Sequence, residues 1–157
     1  MKPDDFIAAI APAARQSMQK TRIPASFVIA EGALESAWGA SQLAERGMNL
    51  FGVKADPSWK GPTIEMRTRE YLHGAWEIVP APWRQYSNWL ECIDDHAKFL
   101  LQNPRYEDAF QHIANSEDFT RAVAAAGYAT DPLYAGKIIS IIRSHELQQY
   151  DHVEVPA

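Results

Sequence analysis

Cysteine is almost absent. Cys92 is the single one in 157 residues, so no internal disulfide framework holds the fold. No apolar run reaches the roughly 18 residues of a membrane-spanning helix, so membrane insertion is not expected. Basic residues never form a block. With 15 Lys and Arg against 20 Asp and Glu, a formal charge of -5, the chain lacks the electrostatic footprint of a nucleic-acid binder. The histidines His73, His96, His112, His145 and His152 make no HExxH pair and no Cys/His cluster, so neither a metal nor a cofactor is expected. Nucleophile-elbow, P-loop and dinucleotide glycine patterns are missing too, as are internal repeats. The opening MKPDDFIAAIAPAARQ is no signal peptide, because Asp4 and Asp5 follow Lys2 and the apolar run is broken by Pro12 and Arg15. The expectation is synthesis in the cytoplasm, with another route to any external site of action.

What is present is an ordinary globular composition, 46% hydrophobic and 22% charged. It suits one domain over residues 1–150, with a loose tail at 151–157 and a monomer as the default. Five tryptophans and six tyrosines are many for this length. Aromatic faces stack on sugars, and they also fill cores.

The central stretch is PASFVIAEGALESAWG at 24–39. Phe27, Leu34 and Trp38 share one helical stripe, and Val28, Gly32, Glu35 and Gly39 the next. Pro24 fits a first turn and Gly39 an exit. Glu35 has Leu34, Ala37 and Trp38 around it and no basic residue within seven positions. Apolar surroundings make a carboxyl hold its proton more tightly, which suits a general acid. The plain alternative is a solvated helix glutamate, with Glu31 extending the same polar edge.

Before it, Asp4 or Asp5 caps a helix over 6–19 with Phe6, Ile10, Ala13 or Ala14 and Met18 inward, which Pro12 bends or interrupts. After it come a short helix from Ser41 to Gly47 and a loop carrying Trp59. The period then changes to two: Ile64, Met66, Thr68, Glu70 and Leu72 share one parity, Glu65, Arg67, Arg69 and Tyr71 the other. A strand over 63–72, a His73-Gly74 turn and a return strand over 75–79, ended by Pro80 and Pro82, make a β-hairpin. Glu70 lies with the apolar parity, although a one-residue slip inverts the faces. The rest is helical. Asn88 and Glu91 offer a capping box, and Leu90, Ile93, Ala97 and Leu101 form a stripe widened by Phe99 and Leu100. Helical segments are expected at 104–113 and 117–126, and Asp131 caps the last helix with Pro132 in its first turn. Cys92 reads as a small core residue, in preference to a nucleophile paired with His96.

Carboxylate chemistry is the class that survives. A protonated Glu35 facing an ionised Glu70 across a groove is the arrangement that cuts glycosidic bonds. Trp38, Trp59, Trp76 and Tyr128 are candidates for contacts to the sugars.

The ordered set ALESAWG (33–39), NLFGVKA (49–55), WKGP (59–62), TREY (68–71), NPRY (103–106) and GYATDPLYA (127–135) resembles the peptidoglycan-hydrolysing glucosaminidase family, its flagellar branch most closely. The resemblance implies an α+β, mainly α, lysozyme-like fold, with a helical lobe and a small β-hairpin lobe flanking a groove. It implies peptidoglycan glycan strands as the partner, cut at β-1,4 bonds after N-acetylglucosamine in phage or prophage lysis or wall remodelling. Action would be on the periplasmic or external wall, after release or non-classical export. It implies Glu35 as general acid, Glu70 as the β-lobe carboxylate with Glu65 and Glu77 as register alternatives, and Tyr128 near the cleaved bond. Trp38, Asn49, Phe51, Trp59 and Trp76 are the implied substrate contacts. A muramidase of similar fold, or a non-catalytic wall-binding or assembly module, are the alternatives. Two positions depart from the family pattern. Ala37 replaces a common glycine, where a methyl is expected to be tolerated on the helix. Glu31 stands where relatives are usually less charged, either facing solvent or meeting Arg22.

Overall fold

The computed structural model describes residues 1–152. Its elements run α1 (Pro3–Thr21), α2 (Ala25–Ser36), α3 (Gln42–Gly47), β1 (Thr63–Leu72), β2 (Ala75–Arg84), α4 (Trp89–Gln102), a 3-10 helix (Pro104–His112), α5 (Ser116–Ala125), α6 (Tyr134–Ser144) and a closing 3-10 turn (Leu147–Tyr150). The helices form one body and the two strands a separate antiparallel hairpin. This is the expected α+β, mainly α, lysozyme-like architecture.

Helix α2 is the axis of the body. Ten of its 12 residues are buried, so it is sequestered nearly all round rather than on one stripe. Gly32 permits this on one side: a Cβ there would stand 3.2 Å from the Ile10 side chain, so its absence lets α1 lie close. On other sides Phe27 meets Phe119 edge-on at 5.1 Å. Pro24 is the N-cap rather than part of the first turn and has no side-chain acceptor to offer. Asp151 supplies one from 125 positions away, accepting bonds from the Ser26 amide at 2.8 Å and the Ser26 hydroxyl at 2.6 Å. Asp151 is therefore anchored, against the expectation of a loose tail from that residue. The remainder of that expected tail, 153–157, lies outside the described residues.

Helix α1 starts earlier than expected, with Pro3 in its first turn and Lys2 at the cap. Asp4 and Asp5 sit in that turn, where they complement the helix dipole instead of capping. Pro12 does not interrupt the helix. It lies on the exposed face, while Phe6, Ile10, Ala14 and Met18 hold the other face in the core. On α4 the buried set is Cys92, Ile93, Ala97 and Leu100, whereas Phe99 and Leu101 are half exposed, at 50% each. Ile93, Ala97 and Leu100 are thus buried as expected, while Leu101 faces out, Leu90 is half-buried and Cys92 fills the inner face. Asn88 caps α4 by accepting from the Glu91 amide at 2.8 Å. Asp131 caps the turn before α6, accepting from the Leu133 amide at 2.9 Å, and α6 itself begins at Tyr134.

The hairpin has the expected turn, with φ of 52° at His73 and 81° at Gly74, both in the left-handed range that a tight two-residue turn requires. Its second strand does not stop at Val79 but continues to Arg84. Pro80 faces Arg67 and Pro82 faces Glu65. Counting from the turn, both fall at non-hydrogen-bonded positions, where the missing N–H takes nothing from the ladder. The base of the hairpin is fastened to the segment before it: the Ala55 amide donates to the Pro82 carbonyl at 3.0 Å and the Arg84 amide to that of Val53 at 3.1 Å.

Candidate active site

A groove of about 820 Å³ runs between the hairpin base with its 51–59 approach and the helical body. Glu35 enters it from the last turn of α2. Past Ser36 the chain turns sharply, with positive φ at Ala37 (50°), Trp38 (58°) and Gly39 (79°) in succession. The Ser36 hydroxyl braces the reversal, donating to the Gly32 carbonyl at 2.5 Å and accepting from the Gly39 amide at 2.8 Å. Ala37 is therefore the left-handed cap of α2 and not a helical residue. The expected tolerance on a helix gives way to a backbone that favours glycine.

Glu35 is open to water through the groove, yet protein surrounds its base. Burial raises its carboxyl above the ordinary 4.5, the negative charge of Glu31 one turn earlier raises it further, and His96 opposes both. Tyr128 and Tyr134 also line this end of the groove. Burial pushes the Tyr128 phenol well above 10, with the charge of Glu31 next in effect. Its hydroxyl lies 2.7 Å from His96 Nε2.

The implied substrate contacts fall into two groups. Phe51 and Trp59 line the groove. Phe51 stacks on His96, centroids 4.3 Å apart, and Trp59 is fixed by its indole N–H donating to the Pro62 carbonyl at 2.8 Å, with the Arg84 guanidinium over its ring at 4.9 Å. The other three lie elsewhere. Trp38 packs edge-on against Phe6 and His145, carried away by the backbone reversal that exposes Glu35. Asn49 is 1% exposed and its amide is consumed internally: Nδ2 donates to the Val53 and Arg84 carbonyls, both at 2.9 Å, and Oδ1 accepts from the Val53 amide at 3.1 Å. Trp76 is 61% exposed at the hairpin tip, beside Tyr71 and under Arg69.

Glu70 lies on the half-buried face of β1 with Ile64, Met66 and Thr68. It is not itself in the groove lining. Lys54, which is, holds it at 2.5 Å. Glu77 is directly opposite Glu70 and shares its face, whereas Glu65, opposite Pro82, is on the outer face. Among the described residues no cluster of His, Cys, Asp and Glu is arranged to hold a metal ion. Cys92 is fully buried, its thiol pushed up to about 12 by that burial, and it accepts a bond from the Leu50 amide at 3.4 Å.

None of the groove residues on α4 was assigned to the site from the sequence, nor were Lys54, Arg84 and Tyr134; His96 entered only as a partner for Cys92. Asp95, His96, Phe99 and Gln102 recur at helical spacing and all line the groove. Asp95 binds Arg84 Nη1 at 2.8 Å and the Tyr86 hydroxyl at 2.6 Å, tying α4 to the end of β2. The available signal was this second stripe, polar except for Phe99, which was instead assigned to the core.

Residues 11–147 match the glucosaminidase family, described as mannosyl-glycoprotein endo-beta-N-acetylglucosaminidase. The peptidoglycan hydrolase FlgJ of Salmonella typhimurium is 42% identical over 143 residues, which is 88% of this chain and 45% of that protein. The chain thus spans less than half the length of that relative. A C-terminally truncated glycoside hydrolase domain of FlgJ from Salmonella typhimurium superposes with a TM-score of 0.80 at 41% identity, covering 92% of this chain and 98% of that one. The catalytic domain of the autolysin Auto from Listeria monocytogenes gives 0.84 at 33% identity, covering 95% and 87%. The match runs through the central helix, the hairpin and the closing helices, so this chain belongs to the glucosaminidase family.

Proposed function

We propose that the chain hydrolyses β-1,4 glycosidic bonds in the glycan strands of peptidoglycan, cutting after N-acetylglucosamine. The observation that carries the reading is Glu35: a carboxyl raised by burial and by a like charge, opening from a helix end into a groove of about 820 Å³. Family membership and the likeness to proteins named peptidoglycan hydrolase supply the substrate class.

In this reading the neutral Glu35 donates its proton to the departing glycosidic oxygen as the C–O bond breaks. Positive charge then develops on the sugar ring. Glu70 is the second carboxylate, activating water or stabilising that charge, and its release from Lys54 is part of the cycle. Glu77 remains its alternative on the same face, and the substrate's own N-acetyl oxygen is the other source of stabilisation. Phe51 and Trp59 offer faces to the sugar rings. Tyr128 lies beside the bond being cut. The site of action is the periplasmic or external face of the wall.

Digestion of purified peptidoglycan, borohydride reduction and mass analysis of the fragments test the assignment. Reduced N-acetylglucosamine ends are expected. Reduced muramic-acid ends would make the protein a muramidase instead, and wall binding without new ends would make it a non-catalytic module.

A further inference from the structure

Glu31 is a fully buried carboxylate that takes no part in the proton transfer described above. Neither sequence alternative for it holds: it faces neither solvent nor Arg22 but lies inside the body, 0% exposed. An isolated buried carboxylate is costly, and this one is surrounded by donors from separate elements. Oε1 lies 2.7 Å from Nε2 of His96 on α4, and Oε2 accepts the hydroxyl of Tyr134 at the start of α6. The Tyr128 hydroxyl, from the loop before α6, closes the cluster at 2.7 Å from the same His96 nitrogen. An ionised carboxylate only accepts, so facing it His96 carries its proton on Nε2. That nitrogen then has no lone pair for Tyr128, whose own proton is directed toward the Glu31 carboxylate.

The cluster sits directly beneath Glu35. Glu31 and Glu35 are one turn apart on α2, hence neighbours along one face of the helix. The groups facing Glu35 are Glu31 from its own helix, His96 from α4, Tyr128 from the loop and Tyr134 from α6. Farther along the groove Lys54, Arg84 and Lys98 stand against Asp56 and Asp95. Only Glu31 combines complete burial with a negative charge on the same helix.

We infer that Glu31 is a positioning residue for this site: its carboxylate holds His96, Tyr128 and Tyr134 in one arrangement beneath Glu35 and supplies the negative charge that Glu35 faces. The inference deepens the glycosidase reading and rests on it for its functional meaning. The two neighbours of Glu35 act in opposite senses. Glu31 favours the protonated acid, whereas His96 favours the ionised form.

The test is a carboxyl-carbon NMR titration of Glu35 in the whole chain, with E31Q and H96Q beside the parent. Glu31→Gln keeps the volume and removes the charge, and the Glu35 midpoint should fall. His96→Gln should move it upward. In wall-clearance assays the alkaline limb of the kcat/KM profile should follow the same directions. A purely structural role would shift neither midpoint, or both in one direction, and either outcome overturns the inference. If E31Q fails to fold, E31D keeps the charge and H96Q alone decides: a Glu35 midpoint unmoved or lowered in H96Q overturns the opposed-charge arrangement. The titration needs no catalysis, so a parent that releases no reducing ends would refute the glycosidase reading and leave this result standing on its own.

Discussion

The helical body and the hairpin are built on different terms. In the body, α2 is buried on nearly every side, packed against α1, α5, α6 and the closing 3-10 turn. In the hairpin no residue of either strand is buried, and its inner face is only half covered. The body derives its order from packing, which is stiff because a close-packed interior resists small displacements. The hairpin derives its order from a backbone ladder, a tight turn and a few polar ties at its base, notably Asn49 and the strand-like pairing of 53–55 with 82–84. Glu35 belongs to the first region and Glu70 to the second. The helix end that carries Glu35 is therefore held rigidly, while the distance from it to Glu70 depends on how the hairpin is tethered.

Mutations at four positions break or sharpen that contrast. Phe27→Ala, in the body, should cost about 4 kcal/mol by urea denaturation, because the cavity opens against Phe119. Asn49→Ala should cost about 2 kcal/mol, since it removes the side-chain partner of the Arg84 carbonyl and the Val53 amide, while the Val53 carbonyl keeps only the Arg84 amide. It should also loosen the hairpin selectively, with faster amide exchange in 75–84 than in α2. Equal exchange in both regions would show that the lobe is not hung from Asn49. Ala37→Gly should stabilise by about 1 kcal/mol, because the left-handed cap penalises a Cβ that meets no core contact. Trp76→Ala, at the exposed tip, should change stability by less than about 0.5 kcal/mol.

The acid itself carries a stability cost with a defined sign. The Glu35 carboxyl is raised in the folded state, so folded protein binds its proton more tightly than unfolded chain does. Stability is therefore fullest below the ordinary value of 4.5 and declines as pH rises through the raised one. Glu35→Gln should raise the melting temperature at pH 7, and that difference should vanish in acid. A difference independent of pH would mean that ionisation of Glu35 is not the cause.

Much of this was legible in the chain. Two-residue alternation located β1 and the hairpin turn to the residue, and the capping signals of α4 and the core role of Cys92 followed from local chemistry. The strand beyond Pro80 was not legible, because whether a proline breaks a ladder depends on hydrogen-bond parity, which exists only once the register is set. The left-handed run at 37–39 was hidden because alanine and tryptophan give no sign of it. Phe99 was misassigned because an apolar residue flanking a core stripe is also what an apolar groove wall looks like. Glu31 was the least legible: its partners are 65 and 103 positions away, and nothing local distinguishes it from a surface glutamate.

The most direct measurement compares the parent with E35Q in releasing new reducing ends from purified peptidoglycan at pH 5–7. With both proteins folded, the account predicts release by the parent and a loss of at least about a hundredfold in E35Q. Equal rates would contradict it, because the groove would then be cutting glycan without the proton that Glu35 supplies.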